Sequence, residues 1–176
     1  MREQTSLPPL PQRYAGVQVL LHWLVVGLLL VVFAWSPSGW LAANDMPHWV
    51  HELAGKLILA LMLLRLWIRL RIGVPTPMPG HRTWQHWAAK VTHWAFYGIL
   101  LLYPLSGWVF ASIDGDTRLG SLPLWLLPEM LAEPAYRLHL ALKPLLIILI
   151  VLHALAALYH SLWYRDGTWR RMSFRS

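Results

Sequence analysis

Cysteine is absent from all 176 residues. Disulfides, iron–sulfur clusters, thiolate-bound metals and haem attached through Cys are therefore excluded. Acid is also scarce, with eight Asp and Glu against 15 Lys and Arg. Charged residues of both signs make up 13% of the chain and cluster between the apolar runs. What is present is 57% hydrophobic, with a mean hydropathy of +0.45, too apolar for an ordinary soluble domain of this size. The composition is that of a membrane protein. The formal charge of +7 then describes loops facing an anionic lipid surface, and nucleic-acid binding is the poorer explanation.

Four apolar segments each come close to the ~20 residues a helix needs to cross a bilayer. They cover about 17–35, 50–70, 87–111 and 138–163. The expectation is an all-α transmembrane four-helix bundle forming one domain over residues 1–176. Pro8, Pro9 and Pro11 keep the segment ahead of the first helix extended. A cleaved signal over 1–43 would offer Ala42 and Ala43 as small residues, but its apolar run is too long for a signal peptide and holds Trp and His.

Basic residues set the orientation. Arg2 and Arg13 precede the first segment, Arg69, Arg71, Arg82 and Lys90 surround the second connection, and Arg165, Arg170, Arg171 and Arg175 follow the last segment. The connection 37–49 has no Lys or Arg, and in 112–137 Arg118 and Arg137 face Asp114, Asp116, Glu129 and Glu133. Both termini are accordingly expected in the cytoplasm. Trp35, Trp40, Trp49, Trp84, Trp87, Trp163 and Trp169 fall near segment ends, as interfacial anchors do. The apolar stretch 122–128 is too short to cross and is expected to lie along the outer surface or to cap the bundle.

Any metal chemistry must run through the nine histidines. His139 and His153 are fourteen residues apart in the fourth segment, which puts them on nearly one helix face, roughly 21 Å apart. An imidazole is costly to strand in lipid, so two on one face point into the bundle, a spacing that suits two stacked haems. Counting depth from each helix entry gives an outer layer of His51 and His139 and an inner layer of His22, His93 and His153. Bis-imidazole ligation of haem iron needs one His from each of two facing helices at equal depth. Gly55, four residues after His51, shares its face and would let a porphyrin approach; Ala141, Ala154, Ala156 and Ala157 keep the fourth helix slim. The competing account of these small residues is close helix packing.

Intramembrane cations complete the pattern. Lys56 and Lys143 fall in the outer half and Arg65 at the inner layer, as partners for haem propionates or a small anionic substrate. Snorkelling to the interface is the competing account, favoured for Arg69 and Arg71. His160, seven residues past His153, stands near the cytoplasmic boundary and is either an interfacial histidine or part of a quinone pocket.

Taken in order, His22-Trp23-Leu24, His51 with Gly55, Arg65 and Arg69, His93, Pro104, His139 and His153, and His160 with Trp163, Trp169, Arg170, Arg171 and Met172 resemble the bacterial cytochrome b561 family over about residues 14–172. The resemblance implies two haem b groups, the outer held by His51 and His139 and the inner by His22 and His153. His93 matches a family histidine too, and spacing does not choose between it and His22. The resemblance also implies oxidation of superoxide at the outer face with ubiquinone as acceptor, although Lys56 and Lys143 depart from the uncharged residues expected there. A cytochrome anchor passing electrons between a dehydrogenase partner and the quinone pool is the alternative. A histidine-based metal transporter is a further one, against which the spans contain Glu52 only at an edge.

Overall fold

The computed structural model describes residues 13–34, 47–76, 82–115, 117, 120–122 and 128–174. The proline tail, the connection holding Trp35, Trp40, Ala42 and Ala43, His81, Asp116, Arg118, most of the 122–128 stretch and Arg175 lie outside the described residues. Four long helices run through the rest: α1 (Gly16–Ala34), α2 (His48–Ile72), α3 (Thr83–Asp114) and α4 (Ala132–Tyr159).

The ends of these helices follow from local chemistry. At the start of α1 the Ala15 N–H donates to Gln18 Oε1 at 3.1 Å, and at the start of α3 the Arg82 N–H donates to Gln85 Oε1 at 2.8 Å. In both, a glutamine three residues on reaches back to cover a donor that the helix leaves orphaned. α2 follows Pro47 and stops at Gly73, whose N–H closes the last helical bond to the Arg69 carbonyl at 2.9 Å and whose φ of 83° turns the chain out of the helix. α3 stops at Gly115 in the left-handed conformation. A 3-10 turn (Glu129–Leu131) leads into α4, and a π-helical turn (His160–Tyr164) leads out of it. α3 and α4 both begin well before their apolar runs, because Gln85 in one and the Glu133–Arg137 pair in the other make polar turns helical.

Neighbours in sequence pack as neighbours in space, α1 on α2, α2 on α3, α3 on α4, and the α3–α4 interface is the most extensive. Each helix contributes a short buried stripe: Val25, Leu29 and Val32; Ala54, Ile58 and Met62; Tyr97, Leu100 and Tyr103; Leu142 and Leu146. These recur three or four residues apart, as one helix face requires. In every helix the stripe lies along the sequence between the two histidine depths: after His22, after His51, after His93, and between His139 and His153. The apolar core is thus the middle of the bundle, with histidines at both ends.

Outside that core the pattern of a soluble protein is inverted. Leu30, Leu63, Leu102, Leu145, Ile148, Leu152 and Leu155 are exposed, a surface suited to lipid. Among the described residues three helices are long and apolar enough to cross a membrane, Gly16–Ala34, Thr83–Asp114 and the continuous stretch Glu129–Tyr164. α2 is long enough but carries Glu52, Lys56, Arg65, Arg69 and Arg71. Several of these are matched inside the bundle: Lys56 with Glu52 at 2.6 Å, Arg65 with His22 at 2.9 Å, and Arg69 over the rings of Trp94 and Tyr97 at 6.0 and 5.6 Å. Charges that meet partners in the protein need not face hydrocarbon.

Candidate functional site

The outer pair expected from the sequence is brought together. His51 opens α2 and His139 lies near the start of α4, with ring centroids 6.2 Å apart. His139 Nδ1 donates to the backbone carbonyl of Tyr103 at 2.8 Å, and Ser106 Oγ lies 3.4 Å from the same nitrogen. The Tyr103 ring stacks on the imidazole at 4.1 Å and 15°. A methyl group on Gly107 would stand 2.9 Å from His139 Cε1, so only glycine fits there beside the ring.

The second layer is a cluster of three. His153 of α4 has its ring centroid 6.4 Å from His22 of α1 and 6.1 Å from His93 of α3, and Phe96 adds an edge contact at 5.2 Å. Both candidates for partner of His153 are therefore within equal reach. Arg65 Nη1 approaches His22 Nδ1 at 2.9 Å, and a guanidinium has only donors, so in this contact His22 accepts.

Two imidazoles on one iron, with Fe–N bonds of about 2 Å and ~1.2 Å from each Nε2 to its ring centre, span about 6.4 Å. The observed separations of 6.1 to 6.4 Å fit that bridge in both layers. Among the described residues no group of three or more His, Asp or Glu side chains is arranged to hold a bare metal ion.

The remaining candidates have mixed surroundings. Arg65 reaches the His22 layer as expected. Lys56 is near the His51 layer but already engages Glu52, the Gly120 carbonyl at 2.7 Å and the face of Trp108 at 4.9 Å, so its charge is largely offset. Lys143 lies in α4 one turn past His139. His160 pairs with Asp166 at 2.5 Å; the other carboxylate oxygen accepts the Thr168 N–H, and Tyr164 stacks on the imidazole. Thr168 Oγ1 beside them is buried with no hydrogen-bond partner among the described residues. Beside Gly55 the nearest protein atom to a Cβ would be Pro104 Cβ, at an ordinary 3.9 Å. Tyr103, Ser106, Gly107 and Phe96 were not singled out by the sequence reading; the one hint was the Pro104-x-Ser106-Gly107 run in an apolar helix.

A membrane helical bundle whose buried ends hold facing histidines at haem-bridging distance is the architecture of a membrane b-type cytochrome. The chain belongs to the prokaryotic cytochrome b561 family, whose profile matches residues 13–175. It is 32% identical over 170 residues to a probable superoxide oxidase, CybB, of Yersinia pestis, covering 92% of this chain and 96% of that protein. It is 28% identical to cytochrome b561 homolog 2 of Escherichia coli strain K12, covering 94% of each. It is also 26% identical to cytochrome b562 of Cereibacter sphaeroides, covering 90% of this chain and 94% of that one. This is a multi-pass bacterial membrane cytochrome of electron transfer that carries haem b.

Proposed function

We propose that the chain is a single transmembrane domain carrying two haem b groups, one per histidine layer, with both termini cytoplasmic. It moves electrons from superoxide at the periplasmic face to ubiquinone in the inner membrane. The observation that carries the two-haem reading is the pair of layers at bridging distance at opposite ends of one core. His51 and His139 are the outer ligands, and His22 and His153 the inner ones, with His93 the alternative to His22. Ligation through His22 Nε2 requires that Nδ1 give up the Arg65 contact and carry the proton instead. Haem supplies one-electron redox chemistry; the protein residues supply ligation, charge compensation and protons.

Arg65 is the cation at the inner layer able to pair a propionate. At the outer layer Lys143 and Lys56 are the candidates for attracting an anion, Lys56 with its charge already shared by Glu52. Two superoxide anions give up one electron each and leave as dioxygen, while one quinone takes up two electrons and two protons to become quinol. A proton donor must stand near the quinone, and the half-buried His160–Asp166 pair, beside the Thr168 hydroxyl that has no hydrogen-bond partner among the described residues, is the group suited to it. The superoxide reading draws on the similarity to the Yersinia pestis protein. The alternative, a cytochrome anchor between a dehydrogenase and the quinone pool, is carried by the family's wider electron-transfer role and predicts a stoichiometric partner on purification.

The test is the dithionite-reduced minus oxidised spectrum of the detergent-purified protein with haem stoichiometry from a pyridine extract, followed by superoxide-dependent ubiquinone reduction. Two low-spin b haems per chain with superoxide-driven quinol formation support the reading. One haem or none overturns the two-layer assignment; two haems without superoxide-driven reduction leave the anchor role.

A further inference from the structure

Within the α3 run Tyr103-Pro104-Leu105-Ser106-Gly107, the residues Tyr103, Ser106 and Gly107 lie against the imidazole of His139. Three contacts from this run act on one ring, each fixing a different degree of freedom. The first is the hydrogen bond from Nδ1 to the Tyr103 carbonyl at 2.8 Å. A carbonyl can only accept, so the proton of neutral His139 is held on Nδ1 and Nε2 keeps its lone pair. The second is the parallel Tyr103 ring at 4.1 Å and 15°, which limits rotation of the imidazole about its own axis. The third is the absent side chain at Gly107: a Cβ at 2.9 Å from Cε1 and 3.0 Å from Nδ1 would push the ring toward the centre of the bundle. Ser106 Oγ donates to the same Tyr103 carbonyl at 2.8 Å, which ties that acceptor in place. Tyr103 and Ser106 are both buried, so water does not compete for these bonds.

We propose that this segment of α3 is the positioning element for the His139 imidazole, setting its tautomer, its plane and its depth, and through them the redox potential of the haem it ligates. The inference rests on the reading of His139 as a haem ligand. A ligating histidine that donates its other N–H to a carbonyl is a more basic ligand. A more basic ligand favours ferric over ferrous iron, so the intact segment lowers the potential of the His139 haem and leaves the other haem untouched.

The experiment is a redox titration of purified holoprotein followed optically, with low-temperature EPR of the oxidised form, in four variants. Gly107→Ala displaces the ring and stretches the Nδ1 bond. It is expected to raise the potential of one haem and shift its largest g value, with the other haem unchanged. Tyr103→Leu removes the stacked ring while keeping the carbonyl, and is expected to move the same g value because that signal depends on the angle between the two imidazole planes. Tyr103→Phe keeps both ring and carbonyl and is expected to leave both haems as in wild type. His139→Ala is the control for the underlying reading and is expected to leave one haem.

If His139→Ala loses one haem while Gly107→Ala and Tyr103→Leu match wild type in both potentials and g values, the positioning role is overturned and the ligand reading stands. If His139→Ala keeps two haems, the ligand reading falls and the positioning role with it. Should Gly107→Ala fail to assemble, the contrast between Tyr103→Leu and Tyr103→Phe decides the matter by the same criterion.

Discussion

His153 touches two histidines at nearly the same distance, while His139 touches one. That asymmetry makes single substitutions informative at the residue scale. His51→Ala and His139→Ala are expected to remove the same haem, taking the stoichiometry from two to one, and His153→Ala the other. Comparing His22→Ala with His93→Ala then selects the partner of His153: the ligand variant loses the haem, and the other retains it with a shifted spectrum. Pyridine haem content with the reduced spectrum checks all five. A second residue-scale prediction concerns Lys56 and Glu52, whose side chains are 18% and 13% exposed. Lys56→Met removes the cation that Glu52 pairs with, and breaking a mostly buried pair costs about 3 kcal/mol. Adding Glu52→Gln removes the carboxylate charge as well, so the double variant is expected to recover the part of the loss that belongs to the pair, while the Lys56 contacts with the Gly120 carbonyl and Trp108 stay lost. Thermal unfolding in detergent, followed by haem absorbance, distinguishes the two; equal midpoints for single and double variants would show the pair to be energetically idle.

Individual helices are tied together by a few polar contacts that an apolar count does not register. Gln18 is buried, its Oε1 capping Ala15 and its Nε2 donating to the Gly73 carbonyl at 3.0 Å, so the start of α1 is fastened to the end of α2. Gln18→Leu keeps the volume but removes the partner of the half-buried Ala15 N–H and Gly73 carbonyl, for an expected loss of about 1 kcal/mol, read as a lower unfolding midpoint with unchanged haem content. The apolar runs made the helices legible in the sequence, and their histidine spacings made the layers legible, because both are periodic along one chain segment. Gly107 was not legible. Whether a glycine is required depends on the neighbouring helix, here His139 of α4. The early starts of α3 and α4 were hidden for a related reason: Gln85 and Glu133 act through local hydrogen bonds and charge pairs that hydropathy counts against a helix.

On the scale of the molecule, the end of the bundle that holds the His22 layer is also where the C-terminal residues return. Trp23 Nε1 donates to the Met172 carbonyl at 2.9 Å, and Arg171 Nη1 donates to the Thr76 carbonyl at 2.7 Å. The tail thus binds both α1 and the segment following α2. The proposed orientation puts this end in the cytoplasm, and the cysteine-free sequence makes that easy to check. Single cysteines introduced at Ser6 or Ser173 are expected to resist a membrane-impermeant maleimide in intact spheroplasts and to react after lysis, whereas one at Ser38 is expected to react in both. Labelling of the termini in intact spheroplasts would reverse the orientation and with it the assignment of the superoxide face.

The core stripe between the histidine layers has a second consequence. Leu146 is fully buried and Met62 is 2% exposed, and both lie in the interval separating the two layers. With one haem at each layer, as proposed, the side chains that hold the helices together are also the medium through which an electron tunnels. A cavity cut there by Leu146→Ala would then loosen the fold and weaken the coupling in one stroke, so mechanical cohesion and electrical contact reside in the same few atoms.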